Sequence, residues 1–128
     1  MKKLILSAII FCLAMPAQAK HLYPEKAYKN YWCSAHHGIQ EYTLPDKTRV
    51  DCLLPNYAVE FDFTDKIYEA IGQSLYYGIM TDRKPAIVLI IENPEKDQKY
   101  LARLKKVADK KRITVWITTP AGAGLKNP

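Results

Sequence analysis

Ala58-Val59-Glu60-Phe61-Asp62-Phe63 alternates strictly between two kinds of side chain. Successive residues of a strand point to opposite faces, so Val59, Phe61 and Phe63 go to one side and Ala58, Glu60 and Asp62 to the other. The pattern predicts a half-buried strand that carries its two acids together. Upstream, Thr48 to Leu54 reads as a second strand, broken by Pro55-Asn56. Ile39 to Leu44 reads as a third, joined to it through Pro45-Asp46-Lys47, whose turn chemistry suits a hairpin. Before them, Pro24 to Ala35 has helical spacing, with Pro24 in the first turn, Ala27, Tyr28, Tyr31 and Trp32 on one face, and Gly38 as the stop.

Downstream, Thr64 or Asp65 can cap a helix from about residue 66 to 80. Ile67, Ile71, Ser74, Leu75 and Gly78 make its packing stripe, and Gly72 is expected to let it approach the sheet closely. Ala86 to Ile91 is a continuous apolar run, as in a central strand covered on both faces. Pro94 opens a second amphipathic helix to about Lys110, with Leu101, Leu104, Val107 and Ala108 inward, and Ile113 to Ile117 is the last strand. The tail from Thr119, rich in Gly, Ala and Pro, is expected to be mobile. The order α-β-β-β-α-β-α-β predicts an α/β fold: an antiparallel meander running into parallel strands, so a mixed sheet with helices on both faces. No internal repeat or linker interrupts it, and residues 20–118 are read as one domain.

The first residues have a different character. Lys2 and Lys3 precede an apolar run from Leu4 to Met15, and Pro16-Ala17-Gln18-Ala19 ends in an A-x-A cleavage pattern. This is read as an export signal, residues 1–19. The run of 12 residues is too short to span a bilayer, for which about 20 are needed, so a permanent membrane anchor is not expected. Ile9-Ile10-Phe11 before Cys12 does not make a lipid-attachment site. Removing 19 of the 128 residues leaves 109, with 17 basic and 13 acidic side chains and a net charge of +4. That excess permits contact with nucleic acid or a membrane surface, and surface solubility explains it equally well. The expected location is the periplasm or the extracellular space. Only Cys33 and Cys52 then remain, in a compartment that allows disulfides. They form a structural bridge or stay as two buried thiols; a metal or nucleophilic role lacks clustered partners.

If the second and third strands pair, Asp51 lies beside Glu60, with Asp62 one pleat further on. Carboxylates converging at a sheet edge suit a hard divalent cation such as Mg2+ or Mn2+, which takes oxygen ligands and retains water. The same residues are ordinary polar surface if that face is exposed. Asp51, Glu60 and the helix element Gln73-Ser74-Leu75-Tyr76-Tyr77 together resemble the active-site framework of the PD-(D/E)XK nuclease superfamily, in its Gln-x-x-x-Tyr branch. The resemblance covers about Pro24 to Ile117 and implies a restriction-endonuclease-like core built α-β-β-β-α-β. It implies a metal site at Asp51, Glu60 and Asp62, and catalytic or positioning roles for Asp51, Glu60, Gln73 and Tyr77. Glu41 is a weaker match to an additional acid that some members carry.

The framework's lysine belongs two residues after Glu60, where this chain has Asp62. Lys66, seven residues before Gln73 and eleven before Tyr77, shares their helix stripe. A solvated lysine at a helix start is the plainer reading of it, and a replacement for the framework's lysine is the other.

Two other features stand apart. His36-His37 closes the first helix, where imidazolium suits the helix C-terminus; adjacent histidines point in different directions and make a poor metal pair. Lys99, Arg103, Lys106 and Lys110 share one face of the last helix and either track a phosphate backbone or form a solvated face. The expectation is an exported metal-dependent phosphodiester hydrolase. The alternative is a catalytically inactive binding or interaction module on the same fold, with nucleic acid or a protein as partner.

Overall fold

The computed structural model describes residues 20–126; the expected leader, residues 1–19, lies outside them. Helix α1 (Glu25–Ala35) leads into strands β1 (Ile39–Thr43), β2 (Arg49–Leu53) and β3 (Tyr57–Phe63). A 3-10 turn (Thr64–Lys66) opens α2 (Ile67–Thr81), followed by β4 (Lys84–Ile90), α3 (Pro94–Lys111) and β5 (Thr114–Thr118). The five strands form one mixed sheet in the order β1-β2-β3-β4-β5. β2 is antiparallel to both neighbours, and β3, β4 and β5 run parallel. The α/β mixed-sheet architecture is the expected one, and the element order matches.

Alternation along the central strands divides the core. Ile87 and Leu89 of β4 pack with Ile67 and Ala70 of α2 and with Leu101, Leu104 and Ala108 of α3. Ala86 and Val88 turn the other way, to join Val59, Phe61, Cys52 and Cys33, with Trp32 and Trp116 closing the edge. The sheet therefore lies between the α2–α3 pair and α1.

Five expectations need correction. β3 is not half-exposed: Glu60 and Asp62 keep only 6% and 5% of their surface, because α2 covers the face that carries them. The buried face of α1 includes Tyr28, Lys29 and Cys33, whereas Tyr31 is exposed. Its stop comes at His37, not Gly38. His37 takes the left-handed conformation (φ 54°), its N–H bonds to the Ser34 carbonyl and the Gly38 N–H to that of Cys33, a Schellman closure. Gly72 faces open space; the close approach is at Gly78, where a Cβ would lie 3.1 Å from the Arg83 carbonyl oxygen. Finally, the residues after Thr118 fold back through a 3-10 turn, Ala121–Ala123, and Ala123 is buried with Tyr28, Phe63 and Ile90. Among the described residues no helix is long and apolar enough to cross a membrane.

Candidate functional site

Cys33 and Cys52 are joined by a disulfide with their Cα atoms 5.8 Å apart, which fixes α1 against β2. Glu25, Lys29 and Cys33 recur every four residues and so share one stripe of the helix. One turn before Cys33, and one residue before Cys52, Lys29 meets Asp51: the ammonium donates to Asp51 Oδ1 at 2.8 Å and also pairs with Glu41 of β1. Glu41 adopts φ 52°, uncommon for a residue with a side chain, at the point where the β1–β2 ladder skips a pair between Gln40–Cys52 and Tyr42–Val50.

The β2–β3 ladder holds only Cys52–Val59 and Leu53–Ala58. Past it, the Asp51 side chain takes over the role of a strand partner, its Oδ2 accepting the Phe61 N–H at 2.9 Å. Glu60 and Asp62 emerge in the fork between β2 and β3. Lys66, at the N-cap of α2, and Glu69, Gln73 and Tyr77 along it fall on one stripe above them. Asp51, Glu60, Asp62, Lys66, Gln73 and Tyr77 all line a single open cleft of about 500 Å3, together with Glu25, Lys29 and Glu41.

Six acids line the cleft with four bases, Lys29, Lys47, Arg49 and Lys66. Burial, reinforced by the neighbouring Asp51 carboxylate, pushes the Glu60 carboxyl up to about 10, so at neutral pH it holds its proton. Glu60 Oε2 is buried without a hydrogen-bond partner. Burial and Glu25 raise Asp62 to about 7, against the pull of Lys66 and of the Phe63 N–H that bonds to Oδ1. Glu25 is raised by burial and by Asp51, with Lys29 and Lys66 opposing. Burial alone would lower Lys29, but its bonds to Asp51 and Glu41 win and hold it above the usual lysine range. Tyr77 is buried with Leu44, Val50, Leu53 and Ala58, and its phenol is raised by burial and then by Glu60 and Asp51.

Among the described residues no three His, Cys, Asp or Glu side chains are grouped to hold one metal ion. Mg2+, however, usually binds through one or two carboxylates and keeps its remaining waters. A hard-oxygen donor set and an orphaned carboxylate oxygen on Glu60 fit that requirement chemically.

A larger cleft, about 660 Å3, opens at the carboxyl ends of β3 and β4. Its central acid, Glu92, is occupied: it accepts from the N–H groups of Leu22 and Tyr23 and from the Tyr28 hydroxyl at 2.6 Å. His21 stacks on Phe63 with a centroid distance of 3.5 Å and reaches both Glu92 and Asp65. These contacts fasten residues 20–23 to the domain. His36 stacks on Trp32 and bonds to its carbonyl.

Comparison with protein-family models, with curated proteins and with solved structures finds no match for this chain.

Lys66 lines the cleft from the exposed start of α2 without an ion pair to any carboxylate among the described residues. Lys29 makes the direct contact with Asp51, and sequence reasoning missed it together with Glu25. A signal existed: once Cys33 is placed on Cys52, stepping back one helical turn and one strand residue sets Lys29 against Asp51.

Proposed function

We propose that this chain is an exported, metal-assisted phosphodiester hydrolase of the PD-(D/E)XK kind, with its centre in the fork between β2 and β3. The observation that carries this reading is the buried, unpartnered Oε2 of Glu60, in a cleft lined by every residue the resemblance singled out. Protonation removes the charge of Glu60 but leaves its buried Oε2 without a partner, a cost that a bound cation would remove.

Asp51 and Glu60 would hold the ion, with Asp62 next along the strand. When bound, Mg2+ or Mn2+ acidifies a coordinated water and offsets charge growing on the scissile phosphate. Glu60 would give up its proton to solvent on becoming a ligand. Lys29 orients Asp51 through their ion pair, and it brings a positive charge to the cluster where β3 has Asp62 in place of lysine; it is a positioning residue. Asp62, titrating near 7, suits proton transfer at Oδ2, since Oδ1 accepts from Phe63 N–H. Gln73 and Tyr77 line the α2 wall and orient substrate or ligands. The Cys33–Cys52 bridge fits an oxidising compartment.

A second reading, an inactive binding module on this fold, is favoured by one observation: both Asp51 oxygens are already engaged, by Lys29 and by the Phe61 amide. Calorimetric titration with Mg2+ and Mn2+ separates the two. The hydrolase reading expects binding whose heat depends on the buffer, because Glu60 gives up its proton, and expects Glu60→Gln to lose both the binding and the proton release. Absence of metal binding by the unaltered protein removes that reading and leaves the second.

A further inference from the structure

Lys96, Lys99, Arg103, Lys106 and Lys110 occupy successive i+3 and i+4 positions of α3, and all five are exposed. At 100° per residue they lie within an arc of about 80°, and at 1.5 Å per residue they extend over about 21 Å. Leu101, Leu104 and Ala108 take the opposite side of the helix into the core. Residues 94–112 hold eight basic and three acidic side chains, a net charge of +5, so the remaining residues from Lys20 onward sum to −1. The charge of the chain is thus concentrated on one helix.

A merely solvated helix face intersperses the two signs, because like charges three or four residues apart repel. Here four such pairs follow one another, 96–99, 99–103, 103–106 and 106–110. Among the described residues none of the five cations is in a salt bridge. Glu95 and Asp109 stand at the two ends of the stripe without pairing to it. Lys99 and Arg103 instead flank the ring of Tyr100, at 5.0 and 5.4 Å from its centroid, which holds two of the charges in place. A row of uncompensated cations on a rigid, well-anchored helix is complementary to a regularly charged polyanion.

We propose that the exposed face of α3 is a docking surface for the phosphate backbone of nucleic acid. The choice of nucleic acid among polyanions rests on the hydrolase reading, whereas the surface itself needs no catalysis. Contact is to phosphate, so binding is indifferent to sequence and strongly dependent on salt.

The test is fluorescence anisotropy with short labelled oligonucleotides, single-stranded and duplex, in chelator so that no cleavage intervenes. With about five phosphates neutralised, log K against log salt has a slope of about −3.5 for single strands, roughly a hundred-fold loss between 50 and 200 mM. The quadruple variant Lys99→Gln, Arg103→Gln, Lys106→Gln, Lys110→Gln is expected to flatten that slope to about −0.7 and to weaken binding at least ten-fold at low salt. Its melting temperature should equal or exceed that of the unaltered protein, since repulsion is relieved. The proposal is overturned if the unaltered protein does not bind, if the variant binds with the same slope, or if vesicles containing phosphatidylglycerol are bound in place of the oligonucleotide. A protein that binds but never cleaves sinks the hydrolase reading alone, and one that cleaves without using α3 sinks this inference alone.

Discussion

Glu60 keeps its proton at neutral pH because burial and the adjacent Asp51 carboxylate oppose a second negative charge. Its folded pKa is raised, so the folded state binds more protons than the unfolded chain between about 4.5 and about 10. Stability is fully present below that window and drains away as pH rises through it. In chelator, Glu60→Gln, which copies the protonated form, should melt above the unaltered protein by a margin that widens from about pH 5 to about pH 9. A margin independent of pH would mean that Glu60 is ionised in the fold. Lys29 has the opposite role. Replacing it with Met leaves Asp51 without its cation, and chemical denaturation should register a loss of about 3–5 kcal/mol, partly returned by Asp51→Asn in the double variant. An additive double variant would show that the two side chains do not interact.

At the scale of elements, the disulfide sets α1 on β2, and Gly38 makes room for it. A Cβ on Gly38 would fall 2.4 Å from Cys52 Sγ and 2.7 Å from Cys33 Sγ. Gly38→Ala should therefore cost about 1–3 kcal/mol with the bridge intact and much less in a Cys33→Ser, Cys52→Ser background, itself weakened by about 2–4 kcal/mol. Gly72→Ala, where nothing lies within 4 Å, should stabilise by about 0.5–1 kcal/mol; denaturant midpoints decide both. The contrast marks what the sequence made legible. Alternation in β3 was enough to bring Glu60 and Asp62 to one side, and helical periodicity was enough to align Lys66, Gln73 and Tyr77. Neither reveals how a helix docks. Periodicity places Gly78 on the packing stripe, where the close approach occurs, whereas the close approach expected at Gly72 is absent because that residue faces open space; Lys29 escapes the pattern because a charged side chain on a buried stripe breaks the apolar spacing that marks such stripes.

For the molecule as a whole, carboxyl groups gather with a smaller number of bases in the cleft walled by α1 and α2, while α3 carries a basic outer face. That division suits a protein that grips a polyanion on one surface and works on it at another through a bound cation. The five-stranded mixed sheet makes it possible: the parallel strands β3 to β5 put α2 and α3 side by side, and the fork between β2 and β3 opens beside α2. The central claim is that this fork cleaves phosphodiesters, and the direct measurement is the rate at which purified protein shortens single- and double-stranded DNA with Mg2+ or Mn2+, against Glu60→Gln. The account predicts metal-dependent cleavage that falls by about 10²-fold or more in the variant. No cleavage above the protein-free blank with either metal, or equal rates for the two proteins, would contradict it.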